Sequence, residues 1–331
     1  MGLISPLAIA PMIDWTYMHF RVLMRLLAPH ALLYTEMQTS GAIEHNPQRA
    51  LEFHRIETPV ALQMGGSDPK ILAECARKAE TAGYIEVNLN LGCPSPRVLA
   101  GQFGACLMND APRVAACIRE IKRAVQIPVT AKIRLGIDHQ DSYAFFADFA
   151  HMLVDAGCDK LIVHARKAWL TGLNPKQNRT IPPINYDYVY QIKQQLPAIP
   201  VVINGQIQTI AGLKVHLQHV DGIMVGRLAC QNPYAIAQMH HVLYPEDPLP
   251  DRIDVLKKYL AISAGIQGQS QQKIPLSRIL KPLFNIMHGL PGASAWKSSL
   301  MKIKGTNELE IWRQLEESIS ALDTMQYAET Y

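Results

Sequence analysis

Short apolar strands recur along the chain, and each is followed by a segment of helical length. The segments between strands, such as residues 71–83, place apolar residues at three- and four-residue spacing and end on a glycine. Predicted strands cover residues 7–12, 31–37, 59–66, 84–94, 128–136, 160–166, 200–207 and 221–227. Eight strands that alternate with helices predict a parallel sheet, and eight is the number that closes an α/β barrel.

An open doubly wound sheet is the alternative architecture. That fold favours GxGxxG after the first strand, whereas here the first strand is followed by IDWTYMHF. The pattern therefore favours a (β/α)8 TIM barrel, of class α/β. The alternation of strands and helices stops at the proline-rich stretch 244–250. We therefore predict a barrel over residues 1–244 and a small all-helical domain over 245–331.

Composition excludes several classes of protein. The 331 residues are 48% hydrophobic and 18% charged, which allows a large core and argues against intrinsic disorder. Apolar runs are too short to predict a membrane span, and the apolar start of the chain has neither a basic flank nor a cleavage site. None of the six cysteines forms CxxC or a zinc-type cluster with histidine, so we expect no metal. Together these features predict a cytoplasmic protein.

The net charge of +4 conceals an uneven distribution. Residues 252–304 hold nine Lys and Arg against one acid, whereas residues 305–331 hold six acids and one Arg. The barrel segment is therefore close to neutral, and the helical segment carries a local basic field. Such a field is the expected footprint of a polyanion-binding surface, although a solvated lysine-rich helix face explains the charge equally well.

Polar residues and glycines end the predicted strands, and in this fold the carboxyl ends of the strands carry the chemistry. The pairs Asn204–Gly205 and Gly226–Arg227, at the ends of the seventh and eighth strands, have the form of a barrel phosphate site. Ordinary turn glycines are an equally good interpretation. The residues concerned are Gln63, Asn90, Cys93, Lys132, His164, Arg166, Asn204, Gly205, Gly226 and Arg227.

Lys132 points into the predicted barrel, where a charge is costly unless it faces an anion. A reduced flavin carries negative charge at one ring edge, and Lys132 could neutralise it while Gln63 and His164 bind ring or phosphate. Alone, His164 is better explained as an ordinary rim histidine. Cys93 follows the fourth strand in a glycine–proline turn, and a thiol at the barrel mouth can act as nucleophile or proton donor.

Three segments resemble the tRNA-dihydrouridine synthases, and the last of them resembles the DusA subgroup in particular. Shorter motifs agree: APM in the first strand, LQMGGSDP in the third, NLNxGCP in the fourth, and NG and VGR in the seventh and eighth. The resemblance covers about residues 6–299. The three segments are NLNLGCPSPRVLAGQFGACLM, VTAKIRLGID and LIVHARKAWLTGLNPKQNRTIPP.

The resemblance implies a flavoprotein oxidoreductase that uses FMN, takes electrons from NADPH and reduces a uridine in the tRNA D-loop at positions 20 and 20a. It implies that Cys93 is the catalytic proton donor and that a helical domain binds tRNA. We expect a monomer, although the sequence does not determine the oligomeric state. Residues implied to bind FMN are Pro11, Met12, Gln63, Lys132, His164, Asn204, Gly205, Gln206, Gly226 and Arg227. Residues implied to bind RNA are Asn90, Gln177, Thr180, Ser294 and Lys297.

Two positions depart from the family pattern. Gln206 replaces the second glycine of NGGI, and it would be strained if that position requires a positive φ. Ser294 stands where the subgroup tends to carry an arginine, which leaves Lys297 as the nearby cation.

Two other functions compete with this interpretation. A flavin barrel that reduces a small molecule, of the dihydroorotate or ene-reductase type, would explain the later strands but not the basic helical segment. An RNA-binding protein with an inactive barrel would explain the charge but not Cys93, Lys132 and His164.

Overall fold

The computed structural model of the chain describes residues 5–269, 274–304 and 308–328 and contains a closed barrel of parallel strands, which confirms the predicted fold class. Eight strands form the closed ring and β3 is a two-residue addition beside β4. The strands are β1 (Leu7–Ile9), β2 (Leu32–Tyr34), β3 (Gln38–Thr39), β4 (Val60–Gly65), β5 (Glu86–Asn90), β6 (Val129–Arg134), β7 (Lys160–His164), β8 (Val201–Asn204) and β9 (Gly222–Val225).

The ring closes because β2 pairs with both β1 and β4, and β1 pairs in turn with β9. Each of the eight ring strands lies inside a predicted strand but is shorter. The reason is that the flanking turn residues leave the sheet to bridge to the next helix. The polar residues of the predicted site lie in the carboxyl-terminal halves of these strands and in the turns that follow them.

Helix boundaries follow local capping signals. The Asp68 side chain accepts a hydrogen bond from the Ile71 amide at the start of α4, Pro69 occupies the first turn, and Gly83 ends the helix with φ of 97°. The α-helices are α1 (Met18–Leu27), α2 (Ser40–His45), α3 (Pro47–Ala50), α4 (Pro69–Ala82), α5 (Pro96–Ala100), α6 (Ala111–Ala124), α7 (Tyr143–Asp155), α8 (Asp187–Gln195), α9 (Ile210–His216), α10 (Arg227–Gln231), α11 (Tyr234–Leu243), α12 (Arg252–Gln269), α13 (Leu276–Leu280), α14 (Ala293–Lys302) and α15 (Glu308–Ala328). Short 3₁₀ helices cover Arg55–Glu57, Gly104–Asn109, Gln177–Arg179 and Lys281–Leu283.

The barrel interior is unevenly polar. A buried apolar cluster takes residues from six of the ring strands: Ala8, Ala10, Leu32, Tyr34, Ala61, Ile162, Val202 and Met224. β5 and β6 contribute none. Since register partners in a parallel sheet face the same side, the pairing of Lys132 with Ile162 and of Asn90 with Lys132 places polar side chains at the matching positions of β5 and β6.

The chain forms two compact units. The first comprises Met1–Asp14, Ala31–Phe53 and Thr58–Gly226 and contains the whole barrel; the second comprises Trp15–His30, His54–Glu57 and Arg227–Tyr331. The second unit thus includes α1 and the helices from α10 onward, and runs across residue 244. The assignment of 1–244 to cofactor binding and of 245–331 to tRNA binding remains a prediction.

The second unit, called the helical unit below, has its own core and buried polar pairs. The Trp296 indole donates to the Leu283 carbonyl over 2.9 Å, and the buried guanidinium of Arg21 pairs with the Glu57 carboxylate. No helix within the described residues has the length and hydropathy needed to cross a membrane.

Candidate active site at the carboxyl ends of the barrel strands

Lys132 and Asn204 form a polar pair at the ends of β6 and β8. The Lys132 ammonium donates to Oδ1 of Asn204 over 3.2 Å, and Nδ2 of Asn204 donates to the Met224 carbonyl over 2.7 Å. Burial, followed by repulsion from Arg134, lowers the pKa of Lys132 to about 7. No ion pair among the described residues uses Lys132, so the side chain that faces this cation is a neutral amide.

The turn after β8 brings backbone close to His164. Gly205 has φ of 127°, and a Cβ added there would lie 3.2 Å from Cδ2 of His164, so both conformation and space require glycine. Gln206 follows with φ of 54°, the left-handed conformation that the departure from NGGI raised as a possibility. Its Oε1 accepts from the buried Arg166 guanidinium over 2.5 Å, which offsets part of the conformational cost.

The loop that carries Cys93 is held by Asn90. Oδ1 of Asn90 accepts from the amides of Gly92 and Cys93 over 3.2 and 3.1 Å, while its Nδ2 donates to Oε1 of Gln63 over 2.8 Å. The Cys93 thiol remains half-buried, 3.5 Å from the Ser95 hydroxyl. The structure therefore brings Cys93, Asn90 and Gln63 together, as the sequence predicted.

A glycine in the GQFGACLM segment supports the same loop from the other side. Ala105 donates to the Cys93 carbonyl over 3.0 Å, and Gly104 has φ of 75°. A Cβ at Gly104 would lie 2.7 Å from that carbonyl oxygen, closer than packing tolerates. The motif thus positions Cys93 by allowing the backbone to pass close to it.

Arg134 is a component of the site that sequence reasoning missed. Its Nε donates to the Gly92 carbonyl over 2.8 Å, and its Nη1 donates to the carbonyls of Lys167 and Asn178, each over 3.0 Å. One buried guanidinium therefore joins the Cys93 loop to the 167–180 segment. A signal was present, because Arg134 follows Lys132 by two positions and ends the same strand.

Positive charge accumulates at this end of the barrel. Burial lowers the pKa of Arg134 to about 10, with further contributions from Arg179 and Arg166, while a Cys93 thiolate would raise the pKa values of both Arg134 and Lys132. These cations lower one another's affinity for protons, which indicates a site suited to an anion. Lys132 with the Gly205 turn fits the charge of a flavin phosphate or a reduced flavin ring.

The remaining predicted cofactor residues lie in two turns. Pro11 and Met12 are half-buried after β1, and a Cβ added to Gly226 would lie 3.5 Å from Sδ of Met12. Arg227 follows Gly226 in the chain as the first residue of α10.

Of the predicted RNA-binding residues, Gln177 and Thr180 are exposed on the 3₁₀ segment after β7. The side-chain oxygens of Gln177 and Asn174 each accept a hydrogen bond from the other residue's backbone amide over 2.9 Å. The Thr180 hydroxyl donates to a backbone carbonyl of the same turn. Asn90 is buried rather than projecting, and its amide oxygen holds the Cys93 loop, so only its amino group has bonding capacity to spare for a base.

In the helical unit, Ser294 is exposed and Lys297 half-buried on α14, and Lys302 is exposed at its end. Other cations of the basic segment lie over aromatic rings: Arg252 over Tyr234 at 3.7 Å and Lys281 over Trp15 at 4.3 Å. Lys273 and Glu329, which contribute to the charge pattern, fall outside the described residues.

Within the described part of the chain, one group of side chains has metal-type ligands. Atoms of His30, His240 and Asp247 lie within 4.8 Å of one another in the helical unit. The Asp247 carboxylate is 3.0 Å from Nε2 of His30, and Nε2 of His240 accepts from the His30 amide, so ion pairing and hydrogen bonding account for the group. That the protein needs no metal remains a prediction.

The solved structures that share this fold include one at low sequence identity. A 2-naphthoyl-CoA reductase complex superimposes with a TM-score of 0.55 at 9% identity, over 73% of this chain and 50% of the other. At this identity the likeness concerns the fold alone, and it agrees with the closed barrel.

Comparison of the sequence is far more specific. The model of the family described as "Dihydrouridine synthase (Dus)" matches residues 8–324. A tRNA-dihydrouridine(20/20a) synthase of Yersinia pestis is 48% identical over 294 residues, which cover 88% of this chain and 85% of the relative. Proteins of the same name from Synechocystis sp. and Escherichia coli K12 are each 47% identical, over 90% and 88% of this chain and 89% and 85% of the relatives. The chain is therefore an enzyme of the dihydrouridine synthase family.

Proposed function

We propose that the protein reduces uridine in the D-loop of tRNA to 5,6-dihydrouridine, with FMN as cofactor and NADPH as reductant. The observation that carries the proposal is the Cys93 loop, fixed by Asn90 and Arg134 at the same barrel end as the half-buried Lys132. The relatives named tRNA-dihydrouridine(20/20a) synthase support positions 20 and 20a as the target.

The cofactor would lie at the carboxyl ends of the strands, with predicted ligands on or after β1, β4 and β6 to β9. Lys132 and Gln63 would meet the polar edge of the ring, while His164, Asn204 and the Gly205–Gln206 turn would bind ring or phosphate. Pro11, Met12, Gly226 and Arg227 would complete the binding site. When bound, FMN reduced by NADPH would supply hydride to C6 of the uracil.

Cys93 would deliver the matching proton to C5. Its thiol is half-buried, close to the Ser95 hydroxyl, on a loop whose backbone is held at three points: the amides of Gly92 and Cys93 and the Gly92 carbonyl. Proton transfer leaves a thiolate, and the positive charges of Lys132 and Arg134 would stabilise it.

The substrate base has to leave the RNA stack to reach such a site, at a cost of a few kcal/mol. Asn90 would read the extruded uracil, with Gln177 and Thr180 binding nearby RNA. Ser294, Lys297 and the other cations of the helical unit would bind phosphates without reading sequence. We propose that a monomer acts in the cytoplasm.

Mass mapping of dihydrouridine tests this function directly. Unmodified tRNA treated with the flavin-loaded protein and NADPH should gain 2 Da at position 20 or 20a, and a transcript with cytidine at both positions should gain none. Absence of dihydrouridine, together with rapid NADPH oxidation by an ene or dihydroorotate-type acceptor, would favour the small-molecule reductase. Modification at other positions would contradict the assignment to 20 and 20a.

A further inference from the structure

A row of polar residues crosses the barrel beneath the Cys93 loop. Gln63, Asn88, Thr130 and Lys160 are successive register partners on β4, β5, β6 and β7. All four are buried, with at most 2% of their surface exposed. Such a row is unusual in a barrel, because the interior layers are normally filled by branched apolar side chains.

The row begins at a buried ion pair. The Lys160 ammonium bonds Oε2 of Glu86, and Oε1 of Glu86 accepts from the Tyr34 hydroxyl over 2.5 Å and from the Thr130 hydroxyl over 2.6 Å. Glu86 and Lys160 are each almost fully buried. Because a carboxylate can only accept hydrogen bonds, the Thr130 hydroxyl donates its hydrogen to Glu86. The lone pairs of Oγ1 of Thr130 are then left to accept a hydrogen bond from the other side.

This commitment fixes each following amide in turn. Nδ2 of Asn88 donates to Oγ1 of Thr130 over 2.9 Å, which turns Oδ1 of Asn88 toward Nε2 of Gln63 at 2.8 Å. Oε1 of Gln63 then accepts from Nδ2 of Asn90, whose Oδ1 is left to accept from the amides of Gly92 and Cys93. Reversing any one amide would set donor against donor or acceptor against acceptor along the chain.

We propose that Glu86, Thr130 and Asn88 are positioning residues for the reaction, acting through this one-directional chain of hydrogen bonds to orient Asn90 and the Cys93 loop. The inference rests on the proposed function in taking Cys93 as the proton donor. These hydrogen bonds occupy the side-chain oxygens of Gln63 and Asn90 and leave each amide one spare N–H donor. Those donors suit the carbonyl oxygens of a flavin or a uracil.

Thr130→Val is the sharpest test, because it keeps the shape and removes only the hydroxyl. We expect kcat for dihydrouridine formation to fall at least about tenfold, while KM for tRNA stays within about twofold. Thr130→Ser, which keeps the hydroxyl, should restore kcat. Ile162→Val is the matched control, since it trims the neighbouring barrel interior without altering a polar group.

A second measurement is independent of turnover. The rate at which iodoacetamide alkylates Cys93, resolved by peptide mass spectrometry, should change at least about threefold in Thr130→Val, because the Asn90 amide is then oriented by the loop amides alone and no longer from within the barrel. The rate at Cys106 serves as an internal control. Asn88→Ala, which removes the next link, should give the same two changes and replaces Thr130→Val if that variant does not fold.

The outcomes separate the two proposals. If the wild-type protein forms dihydrouridine but Thr130→Val and Asn88→Ala match Ile162→Val in kcat and in Cys93 alkylation, the positioning chain is wrong and the function stands. If the wild-type protein forms no dihydrouridine while the alkylation rate still changes, the positioning role of the hydrogen bonds stands and the proposed function is wrong.

Discussion

The guanidinium of Arg134 donates to the carbonyl of Gly92 over 2.8 Å and so fixes the turn that precedes Cys93. The same side chain reaches the Lys167 and Asn178 carbonyls, on the segment that also carries the predicted RNA-binding residues Gln177 and Thr180. A planar group with several donors in fixed directions can do this, whereas a single ammonium cannot reach all three oxygens.

We therefore expect Arg134→Lys to lower kcat for dihydrouridine formation about tenfold or more, although the charge is kept. The pKa of Arg134, lowered by burial to about 10, still leaves the wild-type group charged at neutral pH. Steady-state kinetics with tRNA measure the effect, and Arg123→Lys, on the exposed face of α6, is the matched control. Equal kcat for the two variants would contradict the role of Arg134.

Lys132 should link stability to pH in a way that can be measured. Burial lowers its pKa from 10.5 to about 7, so between these values the unfolded chain binds a proton that the folded chain does not. The charge on Lys132 consequently destabilises the flavin-free protein most below pH 7. As the pH rises from about 7 toward 10.5, the free energy of unfolding increases because the folded protein no longer holds this charge.

Lys132→Met should raise Tm of the flavin-free protein at pH 6 and have little effect near pH 10.5, as scanning fluorimetry across pH would show. The same variant should bind FMN at least about tenfold more weakly, because the anion loses its buried counter-charge. Lys214→Met changes an exposed lysine in the same way and provides the control. Full flavin retention by Lys132→Met would contradict the anion-facing role.

Cys93→Ala should retain FMN and oxidise NADPH, yet form dihydrouridine at least about 100-fold more slowly, since general acid catalysis contributes this much. Flavin absorbance, NADPH consumption and mass analysis of tRNA separate the two half-reactions. Cys106→Ala removes the other half-buried thiol and should behave as wild type. Normal product yield from Cys93→Ala would mean that another group supplies the proton.

Gln206 combines a left-handed backbone with a side-chain bond to Arg166, and two variants separate these effects. Gln206→Ala loses the bond and keeps the strain, whereas Gln206→Gly loses both. We expect Gln206→Gly to be more stable than Gln206→Ala by about 1 kcal/mol in chemical denaturation. The reverse order would show that the φ of 54° costs nothing at this position.

The double variant Lys297→Ala, Lys302→Ala should weaken tRNA binding and flatten its salt dependence by about 1.5 in the logarithmic slope, because each phosphate contact releases counterions. Flavin content should not change. Binding titrations at several salt concentrations measure the slope, with Lys214→Ala, which removes one exposed lysine outside α14, as a control. An unchanged slope would remove α14 from the tRNA-binding surface.

The barrel was predictable because each strand is a short apolar run between helices that cap on recognisable residues, as Asp68 and Gly83 cap α4. Strand lengths and the β3 segment were not predictable in the same way, because they depend on where the turns leave the sheet. The sequence also singled out Cys93, Lys132, Asn90 and Gln63, since they are polar in or just after the carboxyl-terminal parts of predicted strands, where apolar residues are expected. Their roles remain predictions.

Arg134 and three members of the polar row, Asn88, Thr130 and Lys160, were missed for a physical reason. Their importance depends on register across neighbouring strands, and register is fixed by ring closure and not by any one segment. The alternation Glu86, Asn88, Asn90 along β5 was visible in the sequence. Only the pairing with Thr130 and Lys160 shows that it points into the barrel and begins at an ion pair.

The buried Glu86–Lys160 pair has a consequence for attempts to engineer the enzyme. Replacing a buried ion pair with apolar residues of similar volume frequently raises thermal stability. In this barrel the substitution would also free Thr130 and the amides above it to point either way. A more heat-resistant variant obtained at this position would thus align the catalytic residues less well. Selection for thermostability alone would nevertheless favour such a variant.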